Sequence, residues 1–205
     1  RGAGRRVVTG RRSTTPSTLT ARVSAACRRL IAAGIDERAV ALDAEVLARH
    51  ALGWDRARYL TRARDPVPPV FDERFAPLVE RRCRREPVAY ITGSREFWGL
   101  DIAVTPDVLI PRPESELLVE TAVALLANPT APWDVADIGT GSGCLAIALS
   151  GELRRARITA TDSSSTALGV ARRNAIRHGV ADRVSFHDTR GLDGLPGPYD
   201  LIVSN

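Results

Sequence analysis

Residues 135–143, with the sequence VADIGTGSG, constrain the fold of this chain more than any other stretch. The apolar residues that open it predict a buried β-strand, and Gly139, Gly141 and Gly143 predict a sharp turn after that strand. Glycine allows left-handed backbone and leaves no Cβ in the way of a ligand. The apolar residues 145–149 then predict a helix that packs on a sheet. The N–H groups of such a turn and helix start favour a polar or anionic ligand, and a glycine turn that binds nothing is the alternative.

The chain after Pro113 alternates between helical and strand-like patterns. Helices are predicted at 114–127, 144–151 and 164–178, and strands at 133–138, 157–161, 184–187 and 199–204. This alternation predicts an α/β fold in which a parallel sheet carries helices on both faces. The G-x-G-x-G spacing of the turn differs from the G-x-G-x-x-G of dinucleotide-binding folds.

Polar side chains stand where each predicted strand of this sheet ends. Asp137 adjoins the glycines, and the other three strands are followed by Asp162, Asp188 and Asn205. Ligands of parallel sheets bind at the carboxyl ends of the strands, so we expect these side chains to share one site.

Asp162 and Asp188 each have two interpretations. Asp162 lies nineteen residues after Gly143, a distance at which an acid accepts hydrogen bonds from both ribose hydroxyls of a nucleoside. Its alternative role is to cap the next helix beside Ser163 and Ser164. Asp188 is either an acceptor for an adenine amino group or an acid in a surface turn.

The N-terminal part of the chain has a different character. Residues 1–16 contain five arginines and no acid, which predicts a disordered basic tail, with an organelle transit peptide as the alternative. Residues 17–87 predict a small helical domain. Its helices are expected to run from a Ser17 cap to Gly34, over 37–51 and 54–60, and from an Asp72 cap to Arg84.

Residues 88–113 predict a β-hairpin that links the two domains. Short strands are expected at 88–91 and 96–104, with Gly99 near a turn. The two prolines that flank Arg112 then make a stiff, extended segment with a charged tip. This segment is either an ordinary linker or a support that holds Arg112 beside a ligand cleft.

The composition excludes several classes of function. All 29 basic residues are arginine and the formal net charge is +5, a pattern that reflects codon usage as much as a nucleic-acid-binding surface. The three cysteines and three histidines give no metal-ligand spacing, disulfide framework or catalytic arrangement, which favours a reducing cytoplasm. No apolar run reaches the ~18–20 residues of a membrane-spanning helix.

Four motifs occur together in one order. They are EFWG at 96–99, LIPRPE at 109–114, DIGTGSG at 137–143 and IVSN at 202–205. Over residues 17–205 the chain thus resembles the HemK/PrmC family of protein-(glutamine-N5) methyltransferases, which modify the GGQ glutamine of peptide-chain release factors. The resemblance implies a Rossmann-like methyltransferase domain over 114–205 that uses S-adenosylmethionine (SAM).

The resemblance also implies roles for individual residues. The methionine end of SAM would be held by Gly139, Thr140, Gly141, Ser142 and Gly143. Asp162 would hold the ribose, and Asp188 and Thr189 would lie beside the adenine, although the family often has an aromatic residue where Thr189 stands. Arg112 would contact the substrate and the helical domain would dock the release factor. The implied protein is a cytoplasmic monomer that requires no metal, membrane or nucleic acid.

Asn205 is the expected catalytic residue. The family signature is Asn-Pro-Pro-Tyr and this sequence stops at Asn205, so we expect a C-terminally truncated chain that is inactive by itself. The Asn205 side chain, which also binds substrate, and a proline carbonyl would accept the two amide hydrogens of the glutamine. That arrangement points the amide nitrogen at the methyl group of SAM.

Three other functions remain open at this point. A sister enzyme would methylate a ribosomal-protein glutamine, and an Asn-Pro-Pro-aromatic site also serves adenine-N6 methylation of nucleic acid. A non-catalytic, Arg-rich module that binds ribosomes or RNA belongs to a different class.

Overall fold

A computed structural model describes residues 18–205. The chain divides between Ile91 and Thr92 into two compact units. The predicted basic tail over 1–16 and the predicted cap Ser17 lie outside the described residues. Within residues 18–205, no helix has the length and apolar character needed to cross a membrane.

The first unit is helical, as its sequence pattern predicts. Its helices are α1 (Leu19–Ala32), α2 (Glu37–Leu52), α3 (Arg56–Arg62), α4 (Phe71–Cys83) and the short α5 (Val88–Thr92), which ends across the division. Apolar residues three and four positions apart place Leu19, Val23, Ala26 and Leu30 on the buried stripe of α1. They share one core with α2, whose Ala44 and Leu47 are completely buried, and with Phe71 of α4.

Local hydrogen bonds fix where these helices begin and end. Thr18 is the N-cap of α1, and its hydroxyl accepts a hydrogen bond from the Ala21 N–H at 3.3 Å. Gly53 ends α2 in the left-handed conformation. Helix α4 begins at Phe71 without a side-chain cap, so Asp72 lies in its first turn and is not the predicted cap. Phe71 is fully buried and stacks on Phe75 at 4.8 Å, so burial of this ring sets the helix start.

The predicted strand at 88–91 is wrong, because these residues form α5. Proline favours a helix start, and the Pro87 carbonyl accepts hydrogen bonds from the N–H groups of Tyr90 and Ile91 at 3.0 and 3.1 Å. The Arg81 guanidinium donates to the Tyr90 and Ile91 carbonyls at 3.3 and 3.4 Å and so satisfies the other end of this short helix. The predicted hairpin segment therefore begins with a helical turn.

The second unit begins with a two-stranded antiparallel hairpin. Its strands β1 (Ser94–Phe97) and β2 (Leu100–Ala103) are joined by Trp98 and Gly99, with φ values of 53° and 70°. Positive φ at both turn residues matches the right-handed twist of the strands. The Trp98 backbone N–H donates to the Glu116 carboxylate at 2.9 Å and its indole N–H donates to Glu152 at 2.8 Å. The tryptophan thereby fastens the hairpin to two helices of this unit.

The main sheet of this unit has four strands, all parallel. They are β3 (Asp134–Ile138), β4 (Arg157–Asp162), β5 (Val184–Asp188) and β6 (Leu201–Ser204), in the spatial order β5-β4-β3-β6. A 3₁₀ turn at Pro113–Ser115 leads into α6 (Glu116–Leu125), and α7 (Cys144–Glu152) and α8 (Ser165–Arg177) connect successive strands. The predicted α/β fold is confirmed, and the order of strands reverses direction between β3 and β6.

The three helices of the second unit form one layer. Both crossovers, β3-α7-β4 and β4-α8-β5, run in the same direction, and right-handed crossovers in one direction place their helices on one face. Helix α7 packs between α6 and α8. The prediction of helices on both faces is therefore wrong for residues 92–205, because all three of these helices cover the same face.

Candidate active site

The glycine loop leaves the carboxyl end of β3 at the reversal point of the sheet, where parallel sheets bind ligands. The N–H groups of Gly139 and Thr140 both donate to the Thr161 carbonyl of β4 at 2.8 Å, and the Gly143 N–H donates to the Thr140 carbonyl at 2.8 Å. The three glycines have φ values of 73°, 54° and 81°. Since side chains strain left-handed backbone, this path requires glycine.

The three glycines differ in what surrounds their Cα atoms. A Cβ on Gly139 would meet no heavy atom within 4 Å, and one on Gly141 would meet only the Gly139 carbonyl oxygen at 3.9 Å. Gly143 differs, because its Cβ would lie 3.1 Å from the Cβ of Ala171. Gly143 therefore lets α7 approach α8 closely, and its part in ligand binding stays a prediction.

The buried carboxyl group of Asp137 supports the glycine loop through hydrogen bonds. Its side chain is buried, and its Oδ2 accepts a hydrogen bond from the Thr140 hydroxyl at 2.7 Å. Burial raises the pKa of Asp137 to about 6, against the lowering effect of hydrogen bonds from Thr140 and the Ala146 backbone, and the nearby Asp162 charge raises it further. The carboxyl group thus joins the end of β3, the loop and the first turn of α7.

Asp162 joins the same loop from β4. One carboxylate oxygen accepts the Gly141 N–H at 2.9 Å, and the other accepts the Ser164 N–H at 3.0 Å. Ser164, whose hydroxyl accepts the Ala167 N–H at 3.2 Å, is the N-cap of α8. Asp162 is therefore not that cap. Each of its carboxylate oxygens keeps lone-pair capacity for a further donor.

Asp188 and Thr189 follow β5 beside Asp162. Asp188 is exposed and pairs in register with Asp162 across β4 and β5. The Thr189 N–H donates to the Asp162 carbonyl at 3.2 Å, and its hydroxyl donates to the Asp193 carbonyl at 3.1 Å. The acids that follow β4 and β5 thus lie side by side at the carboxyl edge of the sheet.

A cleft lies between the glycine loop and the proline-containing segment. Its lining consists of Leu109, Ile110, Pro111, Ser115, Gly139, Thr140, Gly141, Ser142, Cys144, Leu145 and Asn205. Ile138 pairs with Ser204 of β6, so Asn205 emerges next to the start of the glycine loop. Four of the predicted loop residues, Gly139 to Ser142, and Asn205 therefore meet at one cleft.

Five predicted residues lie outside the lining of this cleft. They are Arg112, Gly143, Asp162, Asp188 and Thr189. Arg112 is exposed, whereas the adjoining Pro111 is buried in the cleft wall. Asp162 reaches the cleft through its hydrogen bond to Gly141. The segment that contains Arg112 therefore borders the cleft through Leu109, Ile110 and Pro111, and a role for Arg112 itself in binding stays a prediction.

Comparisons with known proteins agree with this architecture. Residues 23–93 match the PrmC N-terminal domain family, and residues 113–205 match the methyltransferase small domain family. The release factor glutamine methyltransferase of Burkholderia pseudomallei is 50% identical over 135 residues, which cover 66% of this chain and 47% of that protein. That of Bordetella pertussis is 48% identical over 166 residues, which cover 80% of this chain and 60% of that protein.

The chain belongs to the HemK/PrmC family of methyltransferases. It spans about half to three fifths of the length of these two relatives. Among solved structures, a ribosomal protein L11 methylase from Lactobacillus delbrueckii subsp. bulgaricus aligns with 50% of this chain and 51% of its own, at 30% identity and a TM-score of 0.40.

The site of this HemK/PrmC-family chain fits SAM, the cofactor of such methyltransferases. The open space above Gly139 and Gly141 admits a ligand against bare backbone, and the free lone pairs of Asp162 suit a vicinal diol. Among residues 18–205, no group of histidines, cysteines and acids is arranged to hold a metal ion.

Sequence reasoning missed several cleft residues of this family member. The sequence pattern indicates no role for Ser115 or Cys144, and it marks Leu109 and Ile110 only as part of a motif. Ser115 is buried because the 3₁₀ turn at Pro113–Ser115 folds it back toward the cleft. Proline at the first position of that turn was the available signal. Burial raises the pKa of the Cys144 thiol to about 11, so it stays protonated and is no nucleophile.

Proposed function

We propose that this protein transfers a methyl group from SAM to the side-chain amide nitrogen of a glutamine in a peptide-chain release factor. The observation that carries the proposal is the convergence of the glycine loop, the Ile110–Pro111 segment and Asn205 on one cleft. The names of the relatives, release factor glutamine methyltransferases at 45–50% identity, point to the same reaction.

The glycine loop and the acids at the sheet edge would bind the cofactor. When bound, SAM supplies a methyl group activated by an adjacent sulfonium. Gly139 and Gly141 offer bare backbone to its methionine end, and Asp162 accepts hydrogen bonds from the ribose hydroxyls. Asp188 pairs with Asp162 in the sheet register, and the Thr189 N–H donates to the Asp162 carbonyl, so we expect both residues to lie beside the adenine. This arrangement directs the reactive end toward Asn205.

Asn205 would orient the acceptor amide. An amide nitrogen is a weak nucleophile because its lone pair is delocalised into the carbonyl. The side-chain carbonyl oxygen of Asn205 accepts one hydrogen of the glutamine NH₂ group and fixes the direction of the glutamine nitrogen. Catalysis would then come from the orientation of the amide nitrogen towards the methyl group and from electrostatic stabilisation, without a covalent enzyme intermediate. The apolar wall of Leu109, Ile110 and Pro111 keeps water from the acceptor.

The two units carry opposite formal charges. Residues 18–91 contain 14 arginines and ten acids, whereas residues 92–205 contain ten arginines and 14 acids. An acidic catalytic unit repels a phosphate backbone, which favours a protein acceptor over a nucleic acid.

The helical unit would dock the release factor, with the exposed Arg112 contacting it at the mouth of the cleft. We further propose that the enzyme acts in the cytoplasm and that it does so as a monomer.

Mapping the methylated atom tests the proposal. Protein expressed from the full reading frame is incubated with labelled SAM and, separately, with a release factor, ribosomal proteins and adenine-containing DNA. Mass spectrometry of the products is expected to place one methyl group on the GGQ glutamine. A release factor in which that glutamine is replaced by asparagine is the matched control and stays unmodified. Methylation of ribosomal proteins or DNA alone, or of nothing, contradicts the proposal.

A further inference from the structure

Asn174 of α8 is a polar side chain with no solvent exposure. Its amide oxygen accepts the Ala103 N–H at 2.9 Å, and its amide nitrogen donates to the carbonyls of Ala103 and Ser142, both at 2.9 Å. Both amide hydrogens and the carbonyl of this side chain are therefore used. Burial of an amide is costly unless its hydrogen bonds are made, so these three contacts depend on one another.

The three bonds join two separate parts of the second unit. Ala103 is the last residue of β2, where it pairs with Ser94 of β1. Its N–H and carbonyl both point to Asn174, which satisfies them in the manner of a neighbouring strand. Ser142 belongs to the glycine loop. One side chain thus holds the hairpin and the loop at a fixed separation.

The same two parts continue into the two walls of the cleft. Beyond Ala103 the chain is anchored by the buried Val104 and Val108, and Leu109 to Pro111 then line the cleft. Ser142 lines the opposite wall. We propose that Asn174 is a positioning residue, which sets the spacing between the glycine loop and the proline-containing wall and thereby the affinity of the site for SAM. The effect of Asn174 on SAM affinity rests on the proposed function, whereas its effect on the position of the glycine loop does not.

Another contact of the hairpin provides a matched control. The Trp98 indole N–H donates to Glu152 at 2.8 Å, which fastens the hairpin to α7 without touching the glycine loop. Trp98→Phe keeps an aromatic ring and removes this bond. If Asn174 only anchors the hairpin, its loss and the loss of the Trp98 bond have the same consequence for the loop.

The experiment compares wild type, Asn174→Leu and Trp98→Phe, expressed from the full reading frame. Hydrogen exchange without SAM follows the hydrogen-bonded amides of Gly139, Thr140 and Gly141, with the β4 amides as internal reference. Calorimetry measures the Kd for SAM. In Asn174→Leu we expect loop exchange faster and Kd higher by at least ~10-fold, because buried carbonyl and N–H groups lose their partners. In Trp98→Phe we expect the exchange rate of the loop amides and the Kd for SAM to stay within ~3-fold of wild type.

Each outcome decides the proposal. Equal effects of Asn174→Leu and Trp98→Phe, or loop exchange unchanged in Asn174→Leu, overturn it. Should Asn174→Leu not fold, Asn174→Asp is measured instead, because it keeps the shape and the acceptor of the Ala103 N–H but loses both donors. Loss of the fold in both variants also overturns the proposal, since the side chain would then serve the whole unit. A wild type that binds no SAM contradicts the proposed function, while the exchange measurement still decides the role of Asn174.

Discussion

Asp137 shows how a single buried carboxyl group couples the glycine loop to pH. Its pKa is raised to about 6, mainly by burial, so the folded protein favours the protonated form. The stability that this preference contributes is complete below the ordinary pKa of aspartate. It is lost as the pH rises through about 6, because ionised Asp137 is then trapped in an apolar setting.

Asp137→Asn is expected to remove this pH dependence. An asparagine amide can accept from the Ala146 N–H and donate to the Thr140 hydroxyl, so the loop contacts persist without the charge. Between about pH 4.5 and about pH 7.5, the variant should gain on the order of 1–3 kcal/mol in unfolding free energy relative to wild type. Urea unfolding at the two pH values measures the difference. A difference that does not change with pH would show that Asp137 titrates normally.

Residue types at strand ends could be predicted from the sequence, but their partners could not. Asp162 and Asn205 were predicted at one edge of the sheet because strand ends follow from the apolar pattern. The bonds of Asn174 to Ala103 span 71 positions, and no local pattern encodes such a contact. The glycine motif likewise does not reveal that Gly143 lies close to Ala171 of α8.

At the scale of elements, the C-terminus of α7 depends on a residue from another segment. Its last turn carries no basic residue. Arg183, just before β5, donates to the Ser150 carbonyl at 2.6 Å and to the carbonyls of Leu153 and Arg154 at 3.4 Å. A cation at this end satisfies unpaired carbonyls and complements the helix dipole.

Replacing Arg183 should therefore destabilise α7. Arg183→Met keeps much of the side-chain length but leaves these carbonyls without their donor, at an expected loss of about 1–2 kcal/mol in unfolding free energy. The exposed Arg155 is the matched control, and Arg155→Met should change stability by less than ~0.5 kcal/mol. Denaturant unfolding compares them. Equal stability of the two variants would show that Arg183 does not support the helix end.

Element types were predictable where a pattern was long. The helices and the four parallel strands of the main sheet follow from sustained apolar periodicity. The strand prediction for residues 88–91 is wrong because a run of only four residues, here Val-Ala-Tyr-Ile, fits a short strand and a helical turn equally well. The hydrogen bonds to the Pro87 carbonyl decide between them, and the donors that Arg81 supplies come from another helix.

At the scale of the whole molecule, the basic helical unit and the acidic methyltransferase unit have separate proposed tasks. Removing residues 1–91 should leave the Kd for SAM within about 3-fold of wild type, because the residues proposed to bind the cofactor all lie beyond Thr92. It should raise KM for an intact release factor at least ~10-fold, since remote contacts position a substrate. A short glutamine peptide, which cannot use docking, is the control substrate and should be methylated equally by both forms. Equal KM values for the intact release factor would contradict the docking role.

The most direct test of the account is the turnover of Asn205→Ala in protein expressed from the full reading frame. Ser204→Ala is the matched control, because Ser204 adjoins Asn205 but lies outside the lining of the cleft. The account predicts that Asn205→Ala lowers kcat for release-factor glutamine methylation at least ~100-fold, as when one preorganised hydrogen-bonding group is removed from a reacting centre. It also predicts that the Kd for SAM changes far less and that Ser204→Ala stays near wild type. A near-normal kcat in folded Asn205→Ala would contradict the assignment of this cleft as the place of methyl transfer.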